Sequence, residues 1–304
     1  MMENLKYIFS LLVIGIFAVS CEKEITVDLP DADKKIVIEG YVENGKKPYV
    51  ILTNSAGYFD PLQEWLDSLF IVDATVIFSD GTVTDTAVLE LDYEVMAPVP
   101  FFVYRAQNII GEVGKTYEMT VLAKGKTINA STTITEPVAL DSLWFQVEPS
   151  SETDSLGFVW ARLTDPPQLG NNYAWFSKVL NKQHRFIAPG GYLFDDKFFN
   201  GQSIPFPYAN DDDPLIDDSE LEQEADSTDV DDFWFIKGDT VIIKFCTLDF
   251  GFYTFLTRLE SAQDATGNPF AAPTTVPNNV GENALGYFGG YGCTYDTLIL
   301  TTEE

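Results

Sequence analysis

Histidine is nearly missing from this chain: His184 is the only one in 304 residues. A Ser-His-Asp hydrolase would have to work through it, because the general base of that chemistry is a histidine. No Gly-x-Ser-x-Gly elbow is present to supply the nucleophile. A single His inside Lys182-Gln183-His184-Arg185 reads as a surface residue. Cysteine is almost as scarce. Cys21, Cys246 and Cys293 are the whole complement, and their spacing cannot make a zinc site. A P-loop, a Rossmann glycine pattern and a zinc-protease motif are all absent. Cations are also few, 18 Lys and Arg against 47 Asp and Glu, for a formal charge of -29. Such a surface repels phosphates, which excludes nucleic acid as a partner, and it would not settle on anionic lipid without a tether.

What is present is a globular balance, 45% hydrophobic and 21% charged residues. The 23 Phe, 14 Tyr and 5 Trp favour strands and sheet cores. Residues 1–20 read as a secretory signal peptide: a polar start with Lys6, an apolar run from Tyr7 to Val19, then small Ser20. The run is shorter than the ~20 residues needed to span a hydrocarbon core. Ala18-Val19-Ser20-Cys21 resembles a bacterial lipobox, with Ala where Leu is usual. The expectation is a lipoprotein whose Cys21 thiol carries a diacylglycerol, each buried methylene contributing about 0.8 kcal/mol to the anchor. The alternatives are cleavage near Ser20 without lipid, or an uncleaved anchor. Glu22, Glu24 and Asp28 resemble the acidic export signals of some Bacteroidetes lipoproteins, which predicts the cell surface of the outer membrane rather than its periplasmic face; ordinary linker charge is the alternative.

Residues 21–34 read as a linker. Short alternating segments follow, at 35–42, 49–53, 72–78, 82–91, 101–106, 116–124 and 127–133, separated by Gly- and Asp-rich turns. Thr135-Glu136-Pro137 reads as a junction, strands resume at 140–146, 157–163, 173–179 and 240–248, and 284–291 reads as a Gly-rich strand or loop followed by a closing strand at 295–301. The fold class expected is mainly β: two immunoglobulin-like β-sandwich domains in tandem, 35–136 and 137–304. Phe252, Phe255, Leu256 and Leu259 recur at helical spacing and predict one short helix near 250–262, stopped by Gly267-Asn268-Pro269. Residues 185–232 read as irregular. Trp144, Trp160 and Trp175 fall in strand-like runs and are assigned to the core rather than to a sugar cleft.

Cys246 and Cys293 are candidates for a disulfide, which would stabilise by roughly 3–4 kcal/mol in an exported protein; two buried free thiols are the alternative. The stretch 210–232 carries twelve acidic residues and no basic one, and is expected to be a solvated acidic loop. Within it Asp211, Asp213, Asp217 and Asp218 are candidate Ca²⁺ ligands, although Leu215 or Ile216 stands where an EF-hand needs Gly. The loop could equally dock on a basic partner. Seven Asp-Ser or Asp-Thr tripeptides resemble the O-glycosylation sequon of Bacteroidetes exported proteins, and Ser155 and Ser227 are the candidates because both fall in polar loops.

Several segments together carry a family resemblance: Cys21-Glu22-Lys23-Glu24-Ile25, Ile38-Glu39-Gly40-Tyr41-Val42, Pro48-Tyr49-Val50-Ile51-Leu52-Thr53, Tyr58-Phe59-Asp60-Pro61, Gly267-Asn268-Pro269-Phe270-Ala271 and Gly286-Tyr287-Phe288-Gly289-Gly290-Tyr291. The chain resembles the Bacteroidetes lipoprotein family called domain of unknown function 4249 over nearly its whole mature length. The resemblance implies a setting like that of lipoproteins encoded beside TonB-dependent outer-membrane receptors. It carries no catalytic residues with it. The function expected is therefore a non-catalytic binding or accessory component of TonB-dependent nutrient uptake, partnered by the membrane and such a receptor, without a resident cofactor. A surface adhesin or structural envelope module, or a hydrolase of unfamiliar type, are the alternatives.

Overall fold

Strict alternation along β1, Ile36–Glu43, sends Ile36, Ile38, Gly40 and Val42 to one side and Val37, Glu39 and Tyr41 to the other. A turn at Gly45 returns the chain into β2, Tyr49–Asn54, with Tyr41 opposite Tyr49. In the computed structural model, which describes residues 34–56, 69–93, 101–148, 155–211, 233–266, 268, 272 and 274–301, this hairpin joins a large mixed sheet. The sheet adds β5 (Val88–Asp92), β6 (Phe101–Arg105), β11 (Asn172–Val179), β12 (Leu193–Asp195), β15 (Thr240–Leu248) and β16 (Ala284–Ile299). Its eight strands run β12-β11-β15-β16-β1-β2-β6-β5.

Among the described residues two four-stranded sheets pack beside it. One contains β3 (Thr75–Ser79), β4 (Thr84–Thr86), β7 (Thr116–Ala123) and β8 (Lys126–Thr133). The other contains β9 (Ser142–Val147), β10 (Leu156–Thr164), β13 (Ser203–Tyr208) and β14 (Phe235–Ile236). The first packs Val76, Phe78, Tyr117 and Met119 against Ile38, Val50 and Phe288 of the large sheet. The second packs Phe145, Val159 and Tyr208 against Tyr173, Ile243 and Phe245. Both cores lie on one face of the large sheet. Along β16, Ala284 and Phe288 enter the first core and Leu298 meets the second, all at even positions, while odd-numbered Tyr287, Tyr291 and Cys293 point the other way. The chain is thus mainly β, with sheets stacked as a sandwich.

The two halves are joined through β16. Its first half pairs in parallel with β1, from Ile36↔Ala284 to Glu43↔Tyr291. Its second half pairs antiparallel with β15, from Leu248↔Tyr291 to Thr240↔Ile299. Residues Lys34–Glu304 accordingly form one compact unit, and the junction after β8 is a crossing within it. Thr135 Oγ1 donates to the Thr247 carbonyl at 2.7 Å, and Val138 N donates to Thr247 Oγ1 at 3.1 Å.

The second face of the large sheet is half covered by α1, Phe250–Asp264, close to the span read from the sequence. Asp249 caps it, its side chain accepting from Phe252 N at 2.9 Å. Phe252 and Leu256 are its buried residues, and the Phe252 ring stacks on Tyr287 at 5.3 Å. That ring lies directly over Gly289, where a Cβ would stand 2.3 Å from it. On the opposite face, a Cβ at Gly290 would come 2.6 Å from the Thr133 carbonyl oxygen, and one at Gly292 2.0 Å from that of Thr135. Beneath α1, Cys246 and Cys293 face each other across β15 and β16 and form a disulfide.

Several local readings change. The run 284–301 is one strand over Ala284–Ile299, not a glycine-rich stretch followed by a separate strand. The run 82–91 divides at Ala87, β4 staying with the small sheet and β5 joining the large one. The stretch read as irregular contains β12 and β13, pinned by buried carboxylates: Asp196 accepts from Gly170 N (2.8 Å) and Asn171 N (3.0 Å), and Asp165 from Gly201 N (2.9 Å). Of the three tryptophans, only Trp175 is core. Trp144 and Trp160 are half-buried and stack at 6.1 Å, each between neighbours that point inward.

Candidate functional site

Beyond the end of α1 no described residue covers the second face of the large sheet, and the strands set a belt of polar and aromatic side chains across it. β1 contributes Glu39, Tyr41 and Glu43 at every second position. In register beside them come Tyr49 of β2, Arg105 of β6, Phe176 and Lys178 of β11, Lys244 of β15 and Tyr291 of β16. With the turn residues Lys46 and Lys47, the end of β5 and the segment His184–Phe186, they enclose a cavity of about 750 Å³. That is within the roughly 300–1,000 Å³ of small-molecule sites.

The floor is tightly wired. The buried Glu43 carboxylate accepts from Lys244 Nζ at 2.7 Å, pairs with Lys46 Nζ at 3.0 Å and accepts from the Tyr295 hydroxyl. Lys244 Nζ stands 4.9 Å above the Tyr291 ring and 5.2 Å above Phe176. Arg105 pairs with Glu90 and Asp92 and lies 5.0 Å over Tyr49. Lys178 Nζ donates to the His184 carbonyl at 2.7 Å, which ties the wall segment to the floor. The Tyr41 hydroxyl donates to Glu39 Oε1 at 2.8 Å.

These surroundings tune the ionisable groups. Burial opposes the charge of Glu43, but Lys244 and Lys46 outweigh it and hold the carboxyl below its ordinary value. Burial lowers the Lys244 ammonium, with Glu43 pulling the other way. Glu39 is open to water yet hemmed in by the cavity walls. That crowding raises its carboxyl against the opposing effects of Tyr41 and Arg185. Burial also pushes up the hydroxyls of Tyr41, Tyr49 and Tyr291.

A second cavity of about 490 Å³ adjoins the first, and Glu39 and Tyr41 line both. Its other walls are mostly apolar, with Phe255, Leu256 and Leu259 of α1, Leu285 and Tyr287 of β16, and Val276 and Pro277, and they include the polar Gln263 and Asn278.

The residues singled out in the sequence lie mostly elsewhere. His184 does line the larger cavity, exposed at its rim, but no Ser, Thr or Cys is among the lining residues for it to activate. Asp211 accepts from Gln183 Nε2 through its main-chain oxygen at 2.9 Å, and among the described residues no three metal-binding side chains cluster. Ser155 lies in the turn just before β10, and its carbonyl accepts from Lys237 N. Cys21, Asp213, Asp217, Asp218 and Ser227 lie outside the described residues. Among the described residues no helix is long and apolar enough to cross a membrane.

The cavity itself was missed in the sequence because seven separate segments build it. One signal was present: a lysine in the middle of Val241-Ile242-Ile243-Lys244-Phe245-Cys246, where an apolar strand has no use for a charge unless that face holds a partner. Comparison with curated proteins returns no match. A family model described as Domain of unknown function (DUF4249) matches residues 22–296. The Gly286–Tyr291 segment, glycine-rich because α1 and the β8 crossing press on β16 from opposite faces, falls inside that match, and the chain belongs to the DUF4249 family.

Proposed function

We propose that the protein is an outer-membrane lipoprotein, tethered through Cys21, that serves as a non-catalytic binding component of TonB-dependent nutrient uptake and holds its ligand on the open face of the eight-stranded sheet. The observation that carries this reading is the cavity of about 750 Å³, whose charged and aromatic lining is held in place by its own ion pairs and cation–ring contacts. A preorganised lining spares a ligand the entropic cost of ordering side chains. The lining pairs its carboxylates with cations, and such pairs fix the shape of the cavity, which supports a binding role.

Affinity purification of the native lipoprotein from membranes in mild detergent tests the reading. A TonB-dependent receptor is expected to co-purify, and the Cys21→Ser variant is expected to lose both the acyl mass and membrane attachment. Recovery of the wild-type protein with no receptor, or retention of Cys21→Ser on the membrane, would count decisively against it.

A further inference from the structure

Cations are scarce in this chain, 18 Lys and Arg against 47 Asp and Glu, yet among the described residues that line the larger cavity six are cationic and three acidic. The six are Lys46, Lys47, Arg105, Lys178, Arg185 and Lys244. All but Lys46 are half-buried in the cavity wall rather than splayed into solvent. Glu43, Asp92 and Glu90 answer some of this charge in the floor, Glu39 faces Arg185, and among the described residues the cations of the lining still outnumber these carboxylates. A concave wall of one sign focuses potential, and here the sign is opposite to that of the molecule as a whole. An anion entering the cavity meets attraction, although the net charge of the chain opposes its approach.

The second cavity extends this argument. It shares Glu39 and Tyr41 with the first, and β1 runs beneath both from Val37 to Glu43, about 20 Å at the usual strand rise. Where the two cavities meet, the Tyr41 hydroxyl and the Glu39 carboxyl satisfy each other. Beyond them the walls are mainly hydrocarbon, from Phe255, Leu256, Leu259 and Leu285, with Gln263 and Asn278 the polar groups among them. One groove thus changes from cationic to apolar along a single strand.

Resting on the assignment of the larger cavity as a ligand site, we infer that the groove binds a soluble amphiphilic organic anion. Its carboxylate lies among the cations, and its hydrocarbon body lies between α1 and the start of β16.

Calorimetric titration of the unacylated chain from residue 22, which retains the whole compact unit, tests this with four probes: decanoate, 1-decanol, citrate and maltotriose. Decanoate is expected to bind at one site at least about tenfold more tightly than decanol or citrate. Lys47→Glu, at the cationic end, is expected to weaken decanoate about tenfold and leave decanol unchanged. Leu259→Glu, at the apolar end, is expected to weaken both. Both variants should melt within a few degrees of the wild type. Equal binding of decanoate and decanol would overturn the role of the cations, and equal binding of decanoate and citrate that of the apolar end. Indifference of decanoate to both substitutions would place the site elsewhere and overturn the inference. Binding of maltotriose in preference to decanoate would sink the amphiphile and leave the cavity a ligand site. Failure of all four probes would sink the amphiphile, while receptor co-purification would still decide the proposed function.

Discussion

Glu39 and Glu43 lie four positions apart on the same face of β1, yet their surroundings push them in opposite directions. Glu43 is clasped by Lys244 and Lys46, so its folded carboxyl is more acidic than in the unfolded chain. Its stabilising contribution is complete above the ordinary glutamate range and fades as pH falls through its lowered folded value. Glu39 is raised by crowding, so its contribution is complete below the ordinary range and fades as pH rises through the raised value. Two opposite outcomes are expected from thermal melts across pH. Glu39→Gln should melt higher than the wild type near neutrality, with the gap closing below about pH 4, where both forms are uncharged. Glu43→Gln should lose about 3 kcal/mol near neutrality, because it leaves Lys244 buried without its carboxylate, with the loss shrinking in acid. A Glu39→Gln variant less stable than the wild type near neutrality would refute the first account.

At the scale of the element, β16 shows why one strand needs so many glycines. Phe252 rests on Gly289 from one face, and the chain after β8 crosses Gly290 and Gly292 on the other. A side chain at any of the three would displace backbone or a buried ring, not a flexible surface group. Gly289→Ala is expected to destabilise by about 1–3 kcal/mol, the usual cost of overpacking, in equilibrium urea unfolding. Combining it with Phe252→Leu should recover part of the loss, since the smaller side chain vacates the contact. An additive double variant would mean that the ring and the strand do not meet as described. The same strand also receives the Cys246–Cys293 disulfide, so α1 covers a part of the sheet already locked in register.

Over the whole molecule, the consequence of β16 is interdependence. The sequence segment 34–136 contains the small sheet β4-β3-β7-β8 and most of the first core, but Ala284 and Phe288 of that core arrive from the other end of the chain. Without β16, β1 would present a full edge of unpaired backbone groups. Loss of the buried Phe288 alone would forfeit about 2–3 kcal/mol of hydrophobic stabilisation, against a total of only about 5–15 kcal/mol for a typical domain. The fragment 34–136 is therefore expected to show no cooperative unfolding transition by circular dichroism, and to gain one when mixed with 137–304. A fragment that melts cooperatively alone would show that the halves are independent after all.

Much of the fold was legible in the order of residues. Alternation located β1, β7, β8 and β10, because a half-buried strand must show its two faces every second residue, and short apolar runs bounded by turn residues located β2, β11 and β15. The spacing of Phe252, Phe255, Leu256 and Leu259 located α1, because a helix must return one face to the core every three or four residues. Such periodicities are local, and one short window contains them whole. The sheet switch at Ala87, the outward placement of Trp144 and Trp160, the continuous β16 and the cationic cavity depend on which strands become neighbours. Glycines in β16 read as turn formers until two other segments are seen pressing on them. Lys244, Arg105 and Glu43 read as scattered charges until register sets them on one face. The chain alone determined which residues turn inward on each strand, since that is a property of the backbone repeat. Only tertiary packing decided which faces meet and which stays open, since the free energy of burial depends on the partner surface as much as on the strand itself.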